Sequence, residues 1–144
     1  MATWHIFYNN STKLIAWSTS GLVNDDIKTE QANAGLSYLS VDQDNVPSDS
    51  DYWVNSSGNG IVEKSVFNPS YSTTTPAIDG VVTVTGLPAG TEVFVDGASG
   101  GTMSDTTLTF TATEPGNYVV NYKKVGYKNF TDKNIVVKRQ GEWI

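Results

Sequence analysis

The feature that most constrains the fold is a series of short β-prone segments in the second half of the chain, separated by tight-turn sequences. Five segments are rich in valine, threonine and aromatic residues: GVVTVTGL, TEVFVDG, TTLTFTAT, NYVVNYKKVGY and KNIVVKR. The turn sequences among them include LPAG, DGASGG and EPGN. In TTLTFTAT, Leu108, Phe110 and Ala112 alternate with threonines, which is typical of a half-buried strand. Short strands at this spacing predict a β-sandwich.

The first half predicts a small α+β module. TWHIFYN and KLIAWSTS form one predicted hairpin, and DYWVN and IVEKSVF form a second, with LSYLSV as a further strand. The segment NDDIKTEQANAGL predicts a helix, because Asn24 or Asp25 can accept hydrogen bonds from the first-turn amides and Gly35 can end it. The expected fold class is therefore mainly β, with a small N-terminal α+β module followed by an immunoglobulin-like β-sandwich.

The predicted domain organisation is a module over 1–68, a linker over 69–79 and a sandwich with its C-terminal tail over 80–144. The linker prediction comes from NPSYSTTTPAIDG. Pro69 and Pro76 have no amide hydrogen to donate, and the serine and threonine residues between them offer no apolar face. A sandwich of this size buries few large side chains. We therefore expect support from packing between the halves or from neighbouring subunits.

Composition excludes several classes of protein and site. The 144 residues contain no cysteine, which rules out disulfides and thiolate metal sites, and the net charge is −6. Neither half has the basic excess of a nucleic-acid-binding protein. The basic-rich stretch is expected to be a solvated strand face at a sheet edge, with a phosphate- or polymer-binding patch as the alternative. It contains Lys123, Lys124, Lys128, Lys133, Lys138 and Arg139.

The sequence predicts neither export by a signal peptide nor insertion in a membrane. The start MATWHIFYNN has no basic and apolar leader pattern, and no segment reaches the roughly 20 apolar residues of a membrane helix. We expect synthesis and folding in the cytoplasm, with no membrane and no nucleic acid as partner.

The residues offer little for catalysis. The chain has one histidine, His5, inside a strand segment and without a second histidine or cysteine to share a metal. Four aspartates in one loop, Asp42, Asp44, Asp49 and Asp51, are weak candidates for a calcium site, and a solvated acidic loop is the alternative. We expect no enzyme activity, no catalytic residues and no cofactor.

Four tryptophans divide into two groups. Trp4, Trp17 and Trp53 fall in strand segments and are expected in the core of the first module. Trp143 and Ile144 are in the otherwise polar tail RQGEWI, and exposure of two large apolar side chains to water is unfavourable there. We expect Trp143 and Ile144 to dock on another subunit, with docking on their own domain as the alternative.

The stretch PAGTEVFVDG, followed by PGNYVVNYKKVGYKNF, resembles small immunoglobulin-like and PEGA-like β-sandwich modules. The resemblance implies that Asp96 and Gly97 close a hairpin. It also implies that Pro115 and Gly116, followed by Tyr118, open the next strand. The last part of the motif is Gly126 and Tyr127, followed by Phe130. There the resemblance implies that the strand bends at Gly126-Tyr127, so that the aromatic ring covers the end of the sandwich.

The order of the segments also resembles small structural proteins of tailed bacteriophages. Their N-terminal module has a hairpin, a helix, a strand, an aromatic-valine pair and a strand that begins Ile-Val. Here the last two positions are filled by Tyr52-Trp53-Val54 and Ile61-Val62-Glu63-Lys64. This resemblance implies a virion protein of the tail, neck or fibre attachment, present in several copies. Its implied partners are other virion proteins: tail, neck, portal-proximal or capsid. The alternatives are a capsid decoration protein and a carbohydrate- or cell-surface-binding module with a host glycan as ligand.

Overall fold

The structure is a computed structural model that describes residues 1–139. The chain divides into two compact units, Met1–Ser65 and Val66–Ile144. The described residues are mainly β, with one helix of nine residues. Within residues 1–139, no helix has the length and apolar character needed to span a bilayer.

The first unit combines a three-stranded sheet, a helix and a short hairpin. The sheet has the order β2-β1-β3 and is antiparallel throughout. The β1–β2 pairing has a bulge at Ala16 of β2, because the consecutive residues Phe7 and Tyr8 lie opposite Trp17 and Ile15. The hairpin pairs β4 with β5. The elements are β1 (Ala2–Tyr8), β2 (Ile15–Thr19), α1 (Asp25–Asn33), β3 (Ser37–Gln43), β4 (Tyr52–Val54) and β5 (Ile61–Glu63). The predicted elements of this module are therefore confirmed, although β5 ends four residues before Phe67, the end of its predicted segment.

The helix begins and ends at the residues that the sequence indicated. Asn24 is the N-cap, and its side chain accepts a hydrogen bond of 2.9 Å from the amide of Ile27. At the other end, Gly35 has φ +89° and Leu36 donates to the carbonyl of Gln31, which together form a Schellman motif.

Both faces of the three-stranded sheet are covered. One face holds the core cluster of Ile6, Tyr8, Ile15 and Val54. On the other face the fully buried Phe7 stacks on Trp17, with 4.6 Å between ring centroids. Trp17 is 38% exposed, so the expectation that it is a core residue is wrong. It lies on an outer strand, where it covers Phe7 from the solvent side.

In the second unit, residues 66–139 form two antiparallel sheets. One has the order β10-β7-β6 and the other β12-β11-β8-β9. The strands are β6 (Ser70–Tyr71), β7 (Val81–Thr85), β8 (Glu92–Val95), β9 (Ala98–Thr102), β10 (Leu108–Thr111), β11 (Gly116–Lys123) and β12 (Lys133–Val137). The five predicted strands are present, and β6 and β9 are additional.

Side chains from both sheets meet in one core, so the unit is a sandwich. Strand β7 contributes Val82 and Val84, and β11 contributes Val120 and Tyr122, each at most 1% exposed. Alternation in the sequence produces this arrangement, because every second side chain of a strand points to the same face. The other buried members of the core are Phe67, Leu87, Val93 and Ile135.

The segment predicted as a linker, 69–79, is part of the sandwich. Ser70 and Tyr71 pair with β7, and the carbonyls of Thr74 and Pro76 then accept hydrogen bonds from β12, in the other sheet. Proline is tolerated here because only its carbonyl is needed at this edge. The compact units divide at Ser65, not at residue 68, and the segment after it crosses between the two sheets.

Candidate interaction site

The turn formed by Asp96 and Gly97 is a two-residue hairpin loop between β8 and β9. Asp96 has φ +51° and Gly97 φ +83°, and this pair of positive angles is typical of a type I′ turn. The hairpin implied by the Asp-Gly motif is therefore present. Its second strand, β9, was expected to be part of the turn sequence DGASGG, and that expectation is wrong. A type I′ turn continues the pairing directly, so even a glycine-rich segment becomes a strand.

The side chain of Asp96 takes the place of a backbone carbonyl. Val120 lies opposite Val95 in the β8–β11 ladder, so the next pair along the ladder is Val119 and Asp96. The amide of Asp96 donates to the carbonyl of Val119 at 2.7 Å. In return, the amide of Val119 donates to Asp96 Oδ1 at 2.8 Å, because the backbone of Asp96 has already turned away. The carboxylate thus extends the ladder by one residue past the point where the strand bends.

Tyr118 fixes the start of β11. Gly116 is the first residue of the strand, as the Pro115–Gly116 motif implied. The hydroxyl of Tyr118 donates to the carbonyl of Glu114 at 2.9 Å. A tyrosine near a strand start that bonds back a few residues upstream has the geometry of the tyrosine corner in immunoglobulin-like sandwiches.

Tyr127 and Phe130 belong to an aromatic cluster at the core. Gly126 has φ +87°, and the turn there brings Tyr127 onto Phe67, with ring centroids 4.7 Å apart. Phe130 lies 5.1 Å from Tyr122. Phe67 therefore packs within the second unit, although its sequence segment predicted a strand of the first module.

Two tyrosine hydroxyls are bonded to each other inside this unit. The hydroxyl oxygens of Tyr71 and Tyr122 lie 3.0 Å apart, and Tyr122 is fully buried. Burial raises the pKa of the Tyr122 hydroxyl far above its usual value, and the contact with Tyr71 raises it further. Burial also raises the pKa of the Tyr71 hydroxyl. Both hydroxyls therefore stay protonated at neutral pH.

A family model matches the segment that carries these features. The family model of the PEGA domain matches residues 79–143. The PEGA match covers Asp96, the Tyr118 corner and the Gly126 bend, and it confirms the PEGA-like part of the resemblance. Comparison with curated proteins and with solved structures gave no match. The resemblance to phage proteins rests on the order of segments alone and is not tested by the PEGA match.

The outer face of the four-stranded sheet in the PEGA segment carries a shallow groove of about 400 Å³. Phe94 lies on its floor, with the ammonium of Lys123 4.8 Å from the ring centroid. The amide of Asn121 donates to the carbonyl of Phe130 at 2.8 Å and also contacts the carboxylate of Asp132. The groove therefore combines a half-buried ring with polar groups whose positions are fixed by hydrogen bonds.

A second cavity, of about 320 Å³, lies between the sheets. Val82, Val120 and Ile135 line it from the core, and Phe110 and Tyr118 line it nearer the surface. Its other lining residues are Pro76, Val95, Thr111, Ala112, Thr113 and Val137. No local pattern in the sequence indicates this cavity or the groove, because each is formed by residues from several strands.

The two outer strands of the four-stranded sheet differ in their cover. The outer edge of β12 is covered by the segment 69–79, which we call the crossing segment. The amides of Val136 and of Lys138, just after β12, donate to the carbonyls of Thr74 and Pro76. On the other side, no strand within residues 1–139 pairs with the outer edge of β9. Every residue of β9 is exposed, and its sequence, ASGGT, has neither charge nor proline.

The four aspartates of the acidic loop do not converge. Asp42 accepts a hydrogen bond of 2.7 Å from Thr3, and Asp51 accepts one of 3.1 Å from Ser48. Asp44 lies 3.7 Å from the terminal ammonium of Met1. Among residues 1–139, no three His, Cys, Asp or Glu side chains are placed to hold a metal ion. The weak calcium candidate, which includes Asp49, is therefore not formed by this arrangement.

The remaining candidates lie in other parts of the chain. His5 is half-buried on the central strand β1, where Nδ1 lies 2.5 Å from the Tyr38 hydroxyl. Two of the basic residues lie against aromatic rings: the ammonium of Lys123 is 4.8 Å from the ring centroid of Phe94, and that of Lys133 is 5.5 Å from the centroid of Tyr71. Trp143 and Ile144, the expected subunit-docking residues, lie outside the described residues, so their role stays a prediction.

Proposed function

We propose that the chain is a non-enzymatic structural component of a tailed phage particle, an accessory protein of the tail, neck or fibre attachment that assembles through subunit contacts. The order of segments in the first unit supports the phage setting. The observation that carries the assembly role is the uncovered edge of β9, together with the PEGA segment that contains it.

An uncovered edge favours pairing with a further strand. Its unpaired amides and carbonyls form a template for another chain, and proteins usually protect such edges with charge, proline or cover. Here β12 is covered by the crossing segment, whereas β9 contains no charge or proline and no other strand in residues 1–139 covers its outer edge. A partner strand added to β9 would complete its hydrogen bonds and extend the sheet across a subunit contact.

A lysine placed on this edge tests the proposal. A Cβ atom at Gly100 would meet only the carbonyl oxygen of Val93, at an ordinary contact distance of 3.6 Å, so we expect Gly100→Lys to leave the fold intact. Val136→Lys is the matched control, because it adds the same charge on the outer face of the same sheet, where Val136 is 41% exposed. We expect Gly100→Lys to weaken subunit association at least tenfold by sedimentation velocity, and the control to leave it unchanged.

The particle itself provides the second test. Mass spectrometry of purified virions should detect the chain, and electron microscopy should locate it. Copies at a single vertex would support the tail or neck assignment. Copies repeated over the shell would instead show the alternative, a capsid decoration protein. Absence of the chain from the particle would refute both assignments.

The groove above Phe94 favours a second candidate function, recognition of a host-surface glycan. Sugars bind where an apolar ring meets amide and carboxylate groups, and the groove supplies Phe94, Asn121 and Asp132. A glycan array decides this candidate. Binding that is lost in Phe94→Ala and kept in Val136→Ala would support it, and an array without signal would remove it.

A further inference from the structure

The loop that joins β4 to β5 contains the one asparagine of the chain that a glycine follows, Asn59 before Gly60. Asparagine is among the thermolabile residue types, because the backbone nitrogen of the next residue can attack its side-chain carbonyl carbon. Glycine has no Cβ atom to hinder that attack. Asn59 is exposed, so its side chain is accessible to water. The residue pair and its exposure therefore favour a covalent change at this position.

Asn55 places a hydrogen-bond donor on the oxygen that becomes negatively charged in this reaction. Its Nδ2 donates to Asn59 Oδ1 at 2.9 Å. A second hydrogen bond, of 3.1 Å from the amide of Asn59 to Asn55 Oδ1, fixes the position of that donor. A donor placed on the developing oxyanion stabilises the transition state for attack on a carbonyl carbon. Asn55 is therefore positioned to promote attack at Asn59 Cγ.

The attacking nitrogen, that of Gly60, lies in the same loop and has no backbone acceptor to leave. The amide of Asn55 donates to the carbonyl of Gly60 at 2.9 Å, but the carbonyl of Asn55 accepts from the amide of Gly58 instead. Among residues 1–139, the amide of Gly60 thus donates to no backbone carbonyl. An amide paired in a strand ladder must first lose its hydrogen bond, and this amide has no such cost.

We propose that Asn59 is a site of spontaneous deamidation, promoted by Asn55. The nitrogen of Gly60 forms a bond to Asn59 Cγ, the bond from Cγ to Nδ2 breaks, and the amide proton of Gly60 leaves with Nδ2 as ammonia. Water then opens the cyclic imide at either of its carbonyl carbons, which gives aspartate or isoaspartate. The loop belongs to the first unit, so this proposal does not depend on the subunit contact proposed at β9.

The two products have different effects on the hairpin. Aspartate keeps an acceptor oxygen for Asn55 Nδ2 and leaves the backbone unchanged. Isoaspartate adds a carbon atom to the backbone before Gly60, which displaces the Gly60 carbonyl from the amide of Asn55. The next residue, Val54, belongs to the core of the first unit and is 1% exposed. The isoaspartate product therefore weakens the hairpin next to a core residue.

Incubation of the full chain at mildly alkaline pH, followed by peptide mapping with mass spectrometry, tests the site. We expect conversion of the amide to the acid at Asn59, at least as fast as in a free peptide of residues 55–61, and isoaspartate detected by enzymatic methylation. Asn10 is the internal control. It is exposed and its Oδ1 accepts a hydrogen bond of 2.6 Å from Lys13 Nζ, but Ser11 follows it, so it should stay intact. Slower conversion of Asn59 in the folded chain than in the peptide would overturn the proposal.

Three variants separate the donor from the glycine. Asn55→Asp removes the donor and keeps an acceptor for the amide of Asn59, so it should slow the conversion by roughly tenfold. Ser57→Asp adds the same charge to the exposed loop and should leave the rate close to that of the wild type. Gly60→Ala should slow the conversion by on the order of tenfold, because its Cβ crowds the attacking nitrogen. Equal rates in the wild type and Asn55→Asp, or an unchanged rate in Gly60→Ala, would contradict the proposed chemistry.

Discussion

Replacing Asp96 by alanine should destabilise the second unit through two separable effects. The first is the loss of the hydrogen bond between the Asp96 carboxylate and the amide of Val119. The second is backbone strain, because Asp96 has φ +51° and alanine does not favour that region. Asparagine and glycine separate the two effects. Asparagine keeps an acceptor oxygen and tolerates positive φ, whereas glycine tolerates positive φ and has no acceptor.

The expected magnitudes follow from the geometry. Asp96 is exposed, so its hydrogen bond contributes about 1 kcal/mol rather than the larger value of a buried charged bond. A left-handed alanine adds about 1–2 kcal/mol. Asp96→Ala should therefore lower the free energy of unfolding by about 2–3 kcal/mol. Asp96→Gly should lower it by about 1–2 kcal/mol, because glycine also gains entropy in the unfolded chain. Asp96→Asn should change it by less than about 0.5 kcal/mol.

Urea denaturation of the four proteins measures these differences, and hydrogen exchange at Val119 reports the bond itself. We expect the order wild type, asparagine, glycine, alanine, with fast exchange at Val119 only in the last two. If the asparagine and alanine variants have the same stability, the carboxylate does not act as a substitute carbonyl and the reasoning is refuted.

Three further predictions concern other hydrogen bonds. Burial raises the pKa of Tyr122 in the folded state, so between the unfolded and folded pKa values only the unfolded chain loses this proton. The free energy of unfolding should therefore be unaffected by this group below about pH 10 and fall above it by about 1.4 kcal/mol per pH unit. In thermal denaturation at alkaline pH, the midpoint of Tyr122→Phe should fall less steeply with pH than that of the wild type. Tyr118→Phe removes the bond to Glu114 and should lower the free energy of unfolding of the second unit by about 1 kcal/mol in urea, and equal midpoints would contradict the corner. Asn24→Ala removes the N-cap of α1 and should lower the free energy of unfolding of the first unit by about 1 kcal/mol. Asn24→Asp, which keeps an acceptor oxygen, is the control and should leave it unchanged. Hydrogen exchange at the amide of Ile27 measures both effects.

Elements with local signals could be predicted from the sequence. Asn24 and Gly35 mark the helix because capping depends on the residues themselves. Asp96-Gly97 marks the β8–β9 turn for the same reason. The alternation of Leu108 and Phe110 correctly places them on the inner side of β10, where both are less exposed than the threonines beside them.

The errors occurred where residues outside a segment decide the structure of that segment. Strand β9 is a strand because the type I′ turn sets it against β8, although its glycines have low strand propensity. Phe67 is separated from its partners Tyr122 and Tyr127 by more than fifty residues, so no local pattern could assign it to the sandwich. The cavity and the Phe94 groove likewise exist only once the strands are paired.

The crossing segment has a practical consequence for dissecting the chain. The PEGA match begins at residue 79, whereas the compact unit begins at Val66. A fragment cut at the family boundary would lack the Phe67 ring, β6 and the carbonyls of Thr74 and Pro76, which would leave the outer edge of β12 without its hydrogen-bond partners. Truncation would thus create an unpaired strand edge, and aggregation of the fragment would be a product of the truncation and not a property of the intact protein. A fragment that starts at residue 66 retains the crossing segment and its hydrogen bonds to β12.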